Sequence, residues 1–307
     1  MKTICEGLRF PEGPVALADG SVLLVEIEAG HVTRVFPDGR KVVVARPGGG
    51  PNGLAIGPDG AAYVCNNGGF EWHKTPEGGL MPGMQPADYS GGRIERIDLQ
   101  TGEVRVLYSG TVDGPLRGPN DIVFDAAGGF WFTDLGKRRP RDMDIGAVYY
   151  AKIDGSEIRE MVRPMTTPNG IGLSPAGDRL YVAETGPGRV WAFELSGPGA
   201  IVRREGSPHG GVLLAGLAGY QLFDSLAVDG AGNVCVATLV SACVTVIAPD
   251  GAVLRQIPTG DHFTTNICFA GADLRTAYIT LAGRGLLMAM EWPNPGLDLN
   301  FNRLAAG

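Results

Sequence analysis

The chain has 307 residues, 44% hydrophobic and 19% charged, with a formal net charge of −7. That is ample for a packed core, and an acidic surplus with no basic stripe disfavours nucleic acid as a partner. No apolar run is long enough to span a bilayer, and "MKTICEGLRFPEG" lacks the apolar segment and cleavage site of a signal peptide.

Taken in chain order, the predicted elements are strands. "KTICEGL" reads as a strand with no unit of its own. A signature then recurs: a small turn, an apolar run, an Asp/Gly turn and a second apolar or aromatic run. It begins at Glu12 (EGPVALADGSVLLVE), Asn52 (NGLAIGPDGAAYVCN), Asn120 (NDIVFDAAGGFWFTD), Asn169 (NGIGLSPAGDRLYVAET), Asp224 (DSLAVDGAGNVCVAT) and Asn266 (NICFAGADLRTAYIT). Each copy predicts a β-hairpin, and third and fourth strands follow in stretches such as "GRIERIDLQTGEVRVLYS" and "GAVYYAKIDGSEIREMV". Six four-stranded units predict an all-β chain, a six-bladed β-propeller occupying residues 1–307 as a single domain. The sixth unit runs into "PNPGLDLNFNRLAAG" with a weak fourth strand, so the N-terminal strand is expected to close the last blade and remove a free edge.

In a propeller the first strand of each blade is innermost. The leading residues Glu12, Asn52, Asn120, Asn169, Asp224 and Asn266 are therefore expected to converge at one mouth of the central channel. Any single Asn there is ordinary turn chemistry. Two carboxylates at matching places are harder to account for, because near an axis they repel and are poorly solvated, and a cation compensates them. Oxygen donors without Cys or His suit a hard divalent ion such as Ca²⁺ or Mg²⁺.

Two insertions, at about 66–91 and 134–146, are expected on that same face. The first carries Phe70, Trp72, His73, Met81, Met84 and Tyr89 and reads as a lid, as an oligomer contact or as a self-packed loop. The second carries Lys137, Arg138, Arg139 and Arg141, either an attractor for an anion or a solvated run balanced by Asp142 and Asp144. The histidines His31, His73, His209 and His262 are scattered and read as surface or loop residues. Cys5, Cys65, Cys235, Cys243 and Cys268 read as buried small hydrophobes in a cytoplasmic protein.

The segments "FPEGP", "RGPNDIVFD", "TPNGIGLSP", "FDSLAVDGAGNVCVA" and "TTNICFAGADLRTAYIT", in this order from Phe10 to Trp292, resemble the gluconolactonase and senescence-marker-protein (regucalcin) family of six-bladed propeller lactonases. The resemblance implies one divalent cation held by Glu12, Asn169 and Asp224, with Asn120 at or beside it. Ca²⁺ is the expected ion, and Zn²⁺, Mn²⁺ and Mg²⁺ are the alternatives. It also implies a sugar-binding arginine near the third-blade asparagine, for which Arg117 is the candidate. Ser225 follows Asp224 where the family motif has glycine.

The expected activity is metal-dependent hydrolysis of a small lactone to its hydroxy acid, with Asp224 and Asn120 catalytic. Arg117, Asn120, Trp72, His73, Asn52 and Asn266 are the candidate substrate contacts. No G-x-S-x-G elbow offers a covalent nucleophile instead. Other ester, phosphotriester or carbonyl chemistry on the same scaffold, and a non-catalytic metal-binding propeller, are the competing readings. The chain is expected to act as a monomer or small homo-oligomer, away from membranes.

Overall fold

The computed structural model describes residues 1–305. Its strands form six four-stranded antiparallel blades around a central channel, and among the described residues the only helical segment is the 3₁₀ turn Asn302–Ala305. No helix among them is long and apolar enough to cross a membrane.

Blade 1 is Pro11–Ala16, Val22–Glu26, His31–Val35 and Lys41–Ala45, in the order of the chain from axis to rim. Blades 2, 3, 4 and 5 begin with the inner strands Pro51–Ile56, Pro119–Phe124, Pro168–Leu173 and Phe223–Val228 and repeat that order. Blade 4 adds a second short outer strand, Ala200–Val202, beside Val212–Gly216. In blade 6, Thr264–Ala270, Thr276–Leu281 and Leu286–Glu291 are followed outward by Lys2–Cys5 from the other end of the chain. Lys2 pairs with Ala289 and Thr3 with Met288, so the predicted closure of the last blade is present.

Burial follows the pleat. Strands lying between two neighbouring blades are apolar on both faces, so runs such as "VLLVE" and "VCVAT" are fully buried. The result is six hydrophobic clusters, one for each interface between blades. The seam between blades 6 and 1 is completed by Cys5 and Leu8, which pack with Leu287, Val22, Leu24 and Val35. All five cysteines are free and buried, as their apolar surroundings implied.

Each inner strand packs against the next and the last against the first, which closes the channel. Toward the C-terminal ends of these strands the channel widens into a cavity of about 430 Å³. The segment after Trp292 crosses that end. Leu297 N donates to Val228 O at 3.1 Å, Asn300 Nδ2 donates to Phe124 O at 3.1 Å, and the Phe301 ring meets Phe124 edge-on. What the sequence showed as a weak fourth strand is therefore a strap across the channel.

Candidate active site

Every inner strand carries a β-bulge near its start. The pairing shifts between Glu12 and Val15, Pro51 and Leu54, Pro119 and Ile122, Pro168 and Ile171, and Phe223 and Leu226. A bulge re-aims a side chain and sharpens the local twist. It is what turns Glu12, Asn52, Asn120, Asn169 and Asp224 toward the axis. Proline precedes four of the five, at the first strand position, where a missing N–H is tolerated. The next residue faces the neighbouring blade at close range. A Cβ on Gly13, whose φ is 52°, would lie 2.5 Å from Asn52 O, so this place is kept to glycine.

In blade 6 the shift falls between Thr264 and Asn266. Thr265 therefore occupies the axial position there, and Asn266 stands one residue further on, in register with Gly13 rather than with Glu12. The sequence alignment placed Asn266 one position early, because an apolar run offers no marker for the extra residue. From this place Asn266 reaches into blade 1, where its Nδ2 donates to Glu12 Oε2 at 2.7 Å and its Oδ1 accepts from Ile267 N at 2.7 Å.

The carboxylates from blades 1 and 5 are joined by a short polar bridge. Glu12 is 2% exposed and its Oε2 also accepts from Gly13 N at 2.5 Å. Ser225 Oγ lies 3.5 Å from Glu12 Oε1 and 3.4 Å from Asn169 Oδ1. Asn169 Nδ2 donates to Asp224 Oδ1 at 2.7 Å and to Thr185 Oγ1 at 3.0 Å. Glu12, Asn169, Ser225 and Asp224 are thus one cluster on one rim of the channel.

A third carboxylate belongs to this cluster and was not anticipated as a site residue. Asp121 is 6% exposed, with Oδ1 accepting from Ile122 N at 2.9 Å and Oδ2 from Ile171 N at 3.3 Å. The available signal was a carboxylate at the position that is glycine in blades 1, 2 and 4 (Gly13, Gly53, Gly170). Burial raises the pKa of all three acids. It pushes Asp121 to about 7. It also pushes Asp224 to about 7, opposed by the Asn169 hydrogen bond and reinforced by the charge of Asp121. Glu12 is raised well above the ordinary range by burial and then by Asp224.

Asn120 is 5% exposed, and its Oδ1 is buried without a hydrogen-bond partner, a costly arrangement for a carbonyl oxygen. Among the described residues no group of three or more His, Cys, Asp or Glu gathers as a ligand set. The donors available here are carboxylates with amide oxygens. Buried acids lacking a countercharge, together with an orphaned amide oxygen, fit a hard divalent cation.

Arg117 is exposed three residues before Asn120, with its backbone fixed by Asp134. Asp134 Oδ2 accepts from Arg117 N at 2.7 Å, and Oδ1 accepts from Gly118 N at 2.7 Å. Asn52 is buried at the matching position of blade 2. Trp72 and His73 lie on a hairpin of the first insertion, Trp72–Lys74 paired with Leu80–Pro82. Trp72 packs on Phe10 with ring centroids 5.1 Å apart, next to Pro11 and Glu12, whereas His73 is exposed. The hairpin's Leu80 N donates to Gly283 O at 3.3 Å, so the insertion crosses over blade 1 and rests on blade 6.

One expectation needs correction. Lys137 does not belong to a solvated or anion-attracting run, being 2% exposed, while Arg139 pairs with Asp142 and Asp144. His209 lies in the loop between Ala200–Val202 and Val212–Gly216, within the expected class, but it is turned inward. It is 5% exposed, with its ring edge-on to Trp191.

Residues 10–283 match the SMP-30/Gluconolactonase/LRE-like region, and the chain belongs to this family. It is 29% identical over 259 residues to the lactonase Drp35 of Staphylococcus haemolyticus, covering 84% of this chain and 71% of that one. Among solved structures it is similar to a gluconolactonase of Xanthomonas campestris, with a TM-score of 0.74 and 25% identity over 95% of this chain and 89% of that one. The calcium-binding protein regucalcin of Agrobacterium tumefaciens shares the fold, with a TM-score of 0.75 at 17% identity over 99% of each chain.

Proposed function

From its place in the SMP-30/gluconolactonase/LRE-like family, we propose that this chain is a divalent-cation-dependent lactonase that opens a small lactone, sugar-derived or related, to its hydroxy acid. The observation that carries the reading is the gathering of Glu12, Asn169 and Asp224 at one mouth, beside the unpartnered Asn120 Oδ1. The names of the Staphylococcus lactonase and the Xanthomonas gluconolactonase support the substrate class, and that of the Agrobacterium protein supports calcium.

Glu12, Asn169, Asp224 and Asn120 would hold the ion: Ca²⁺ first, with Zn²⁺, Mn²⁺ or Mg²⁺ able to take the same oxygen set. Such an ion supplies Lewis-acid polarisation of an ester carbonyl and a lower pKa for water. The side chains do the rest. Asn266 fixes Glu12 through its Nδ2. Asn169 donates to Asp224 Oδ1 and so orients the carboxylate that takes a proton from the attacking water. The water oxygen bonds to the carbonyl carbon, the ring C–O bond breaks, and the same proton passes from Asp224 to the departing ring oxygen. Arg117, exposed next to Asn120, is positioned for substrate hydroxyls or a carboxylate, and Asn52, Trp72 and His73 complete the candidate contact set.

The whole chain, 1–307, is read as one functional unit. Its five unpaired cysteines favour the reducing cytoplasm, where it would act on a small molecule as a monomer or small homo-oligomer. The test is a pH-stat panel of lactones, aryl esters and phosphotriesters with the chelated and the Ca²⁺-loaded protein. Lactone turnover that needs the cation and vanishes in Asp224→Ala supports the reading. Turnover unaffected by both changes overturns it.

A further inference from the structure

Lys137 is among the largest fully buried side chains of this protein, yet it ends in an amine. Its Nζ donates to Asn67 Oδ1 at 3.0 Å and to Gly69 O at 2.5 Å, and stands 3.9 Å from the centre of the Phe70 ring and 5.5 Å from that of Tyr89. Among the described residues no carboxylate comes within ion-pair distance of it. The amine nitrogen is held by two neutral oxygens and two aromatic faces.

Those partners all belong to the first insertion or its root, and each leads back to the mouth. Asn67 N donates to Gly50 O at 2.8 Å, two residues before Asn52. Tyr89 Oη donates to Arg117 O at 2.5 Å, three residues before Asn120. On the other side Lys137 is pinned to its own loop, with its N donating to Asp144 Oδ2 at 3.0 Å and its O accepting from Asp144 N at 3.0 Å. We propose that Lys137 is a positioning residue: a buried post that clamps the 66–91 insertion to blade 3 and thereby sets Asn52, Arg117 and Asn120 at the mouth.

The direction of the pH effect follows from where the proton sits. Burial lowers the Lys137 pKa from 10.5 to about 7, against the pull of Asp134 and Asp144. The other titratable or charged groups near it are Tyr89 on the insertion and, through Asp144 on blade 3, Arg139 and Arg117. With the clamp open, the amine returns to its ordinary value, so opening takes up a proton between pH 7 and 10.5. Opening is then disfavoured tenfold for each pH unit gained in that window, and it is independent of pH below about 7. The insertion is most tightly closed in alkali.

The test is amide hydrogen exchange of residues 67–70 and 89–92 in the full-length protein between pH 6 and 9, corrected for intrinsic rates. The expected opening constant falls about a hundredfold from pH 7 to 9. Lys137→Met keeps the stem and loses the titration, so its opening constant should be flat, and Lys137→Gln is the second variant should the first fail to fold. A flat wild-type profile, or the same slope in a folded variant, overturns the proposal. A second arm rests on the lactonase reading: Lys137→Met should raise KM about tenfold with kcat changed less than threefold. Absence of any lactone turnover in the wild type would sink that reading and leave the exchange result to judge the clamp.

Discussion

Replacing Asp224 by Asn should make the cation-free protein more stable while ending its activity. The carboxyl is moved from its ordinary 3.8 to about 7, chiefly by burial. A folded-state pKa above the unfolded one means stability that is complete below pH 3.8 and lost as pH rises toward 7. Kept ionised at pH 8 without a cation, Asp224 costs about 4 kcal/mol by this conversion, and water entering the mouth reduces that to roughly 2 kcal/mol. Asn has nearly the same shape, can still accept from Asn169 Nδ2, and carries no charge. At pH 8 in chelator, Asp224→Asn should therefore melt roughly 3–5 °C above the wild type, as read by calorimetry. At pH 4 the two should differ by less than about 1 °C, and with saturating Ca²⁺ the order should reverse, because only the wild type gains from the ion. A variant less stable than the wild type in chelator at pH 8 would refute the claim that these acids are buried without a countercharge.

Adding Ca²⁺ to the chelated protein should release more protons at pH 6.5 than at pH 9, because Asp224, pushed to about 7 by burial, is largely protonated only at the lower pH; an indicator-dye titration reads the difference. Gly13→Ala places a Cβ 2.5 Å from Asn52 O at a φ of 52° and should cost about 2–4 kcal/mol in urea unfolding, whereas Gly177→Ala, with open space around it, should cost about 1 kcal/mol. Deleting residues 1–8 removes Cys5 and Leu8 from the seam between blades 6 and 1 and should lower stability by about 3–5 kcal/mol, which a denaturant melt would show.

The fold could be read from the sequence because a propeller repeats itself. Each hairpin carries its own apolar alternation and its own Asp/Gly turn, and six copies in register leave few other architectures. The weakest copy was the one whose error mattered. Blade 6 lacks the Pro-Glu, Pro-Asn or Phe-Asp pair that marks the bulge elsewhere, and "TTNICFAG" gives no local reason to assign the extra residue to Thr265 rather than Asn266. The strap across the channel was illegible for a different reason. Its hydrogen bonds go to Val228 and Phe124, residues remote in sequence, and no period announces them. Lys137 was read by its neighbours Arg138, Arg139 and Arg141, although only packing by Phe70 and Tyr89 decides which of four basic side chains is buried.

The site itself depends on how the six-fold repeat is broken. At the axial position the blades carry Glu12, Asn52, Asn120, Asn169, Asp224 and Thr265, and one residue further on Gly13, Gly53, Asp121, Gly170, Ser225 and Asn266. Glycine at the second position lets neighbouring inner strands close up, so each polar residue there replaces close contact with a hydrogen bond. Asn266 spends its amide on Glu12, Ser225 bridges Glu12 and Asn169, and Asp121 takes two backbone N–H groups. These three departures, in blades 3, 5 and 6, are the supports of the first set, and they fix the orientation of Glu12 and Asn169 before any ligand arrives. Such preorganisation has a cost, visible in the raised carboxyls and the orphaned Asn120 oxygen. Returning Ser225 to glycine tests that link. Ser225→Gly removes the bridge but no proposed ligand, so Ca²⁺ affinity measured by calorimetry should fall about threefold to tenfold while the melting temperature in chelator stays within about 2 °C. Unchanged affinity would show that the second position only packs the blades.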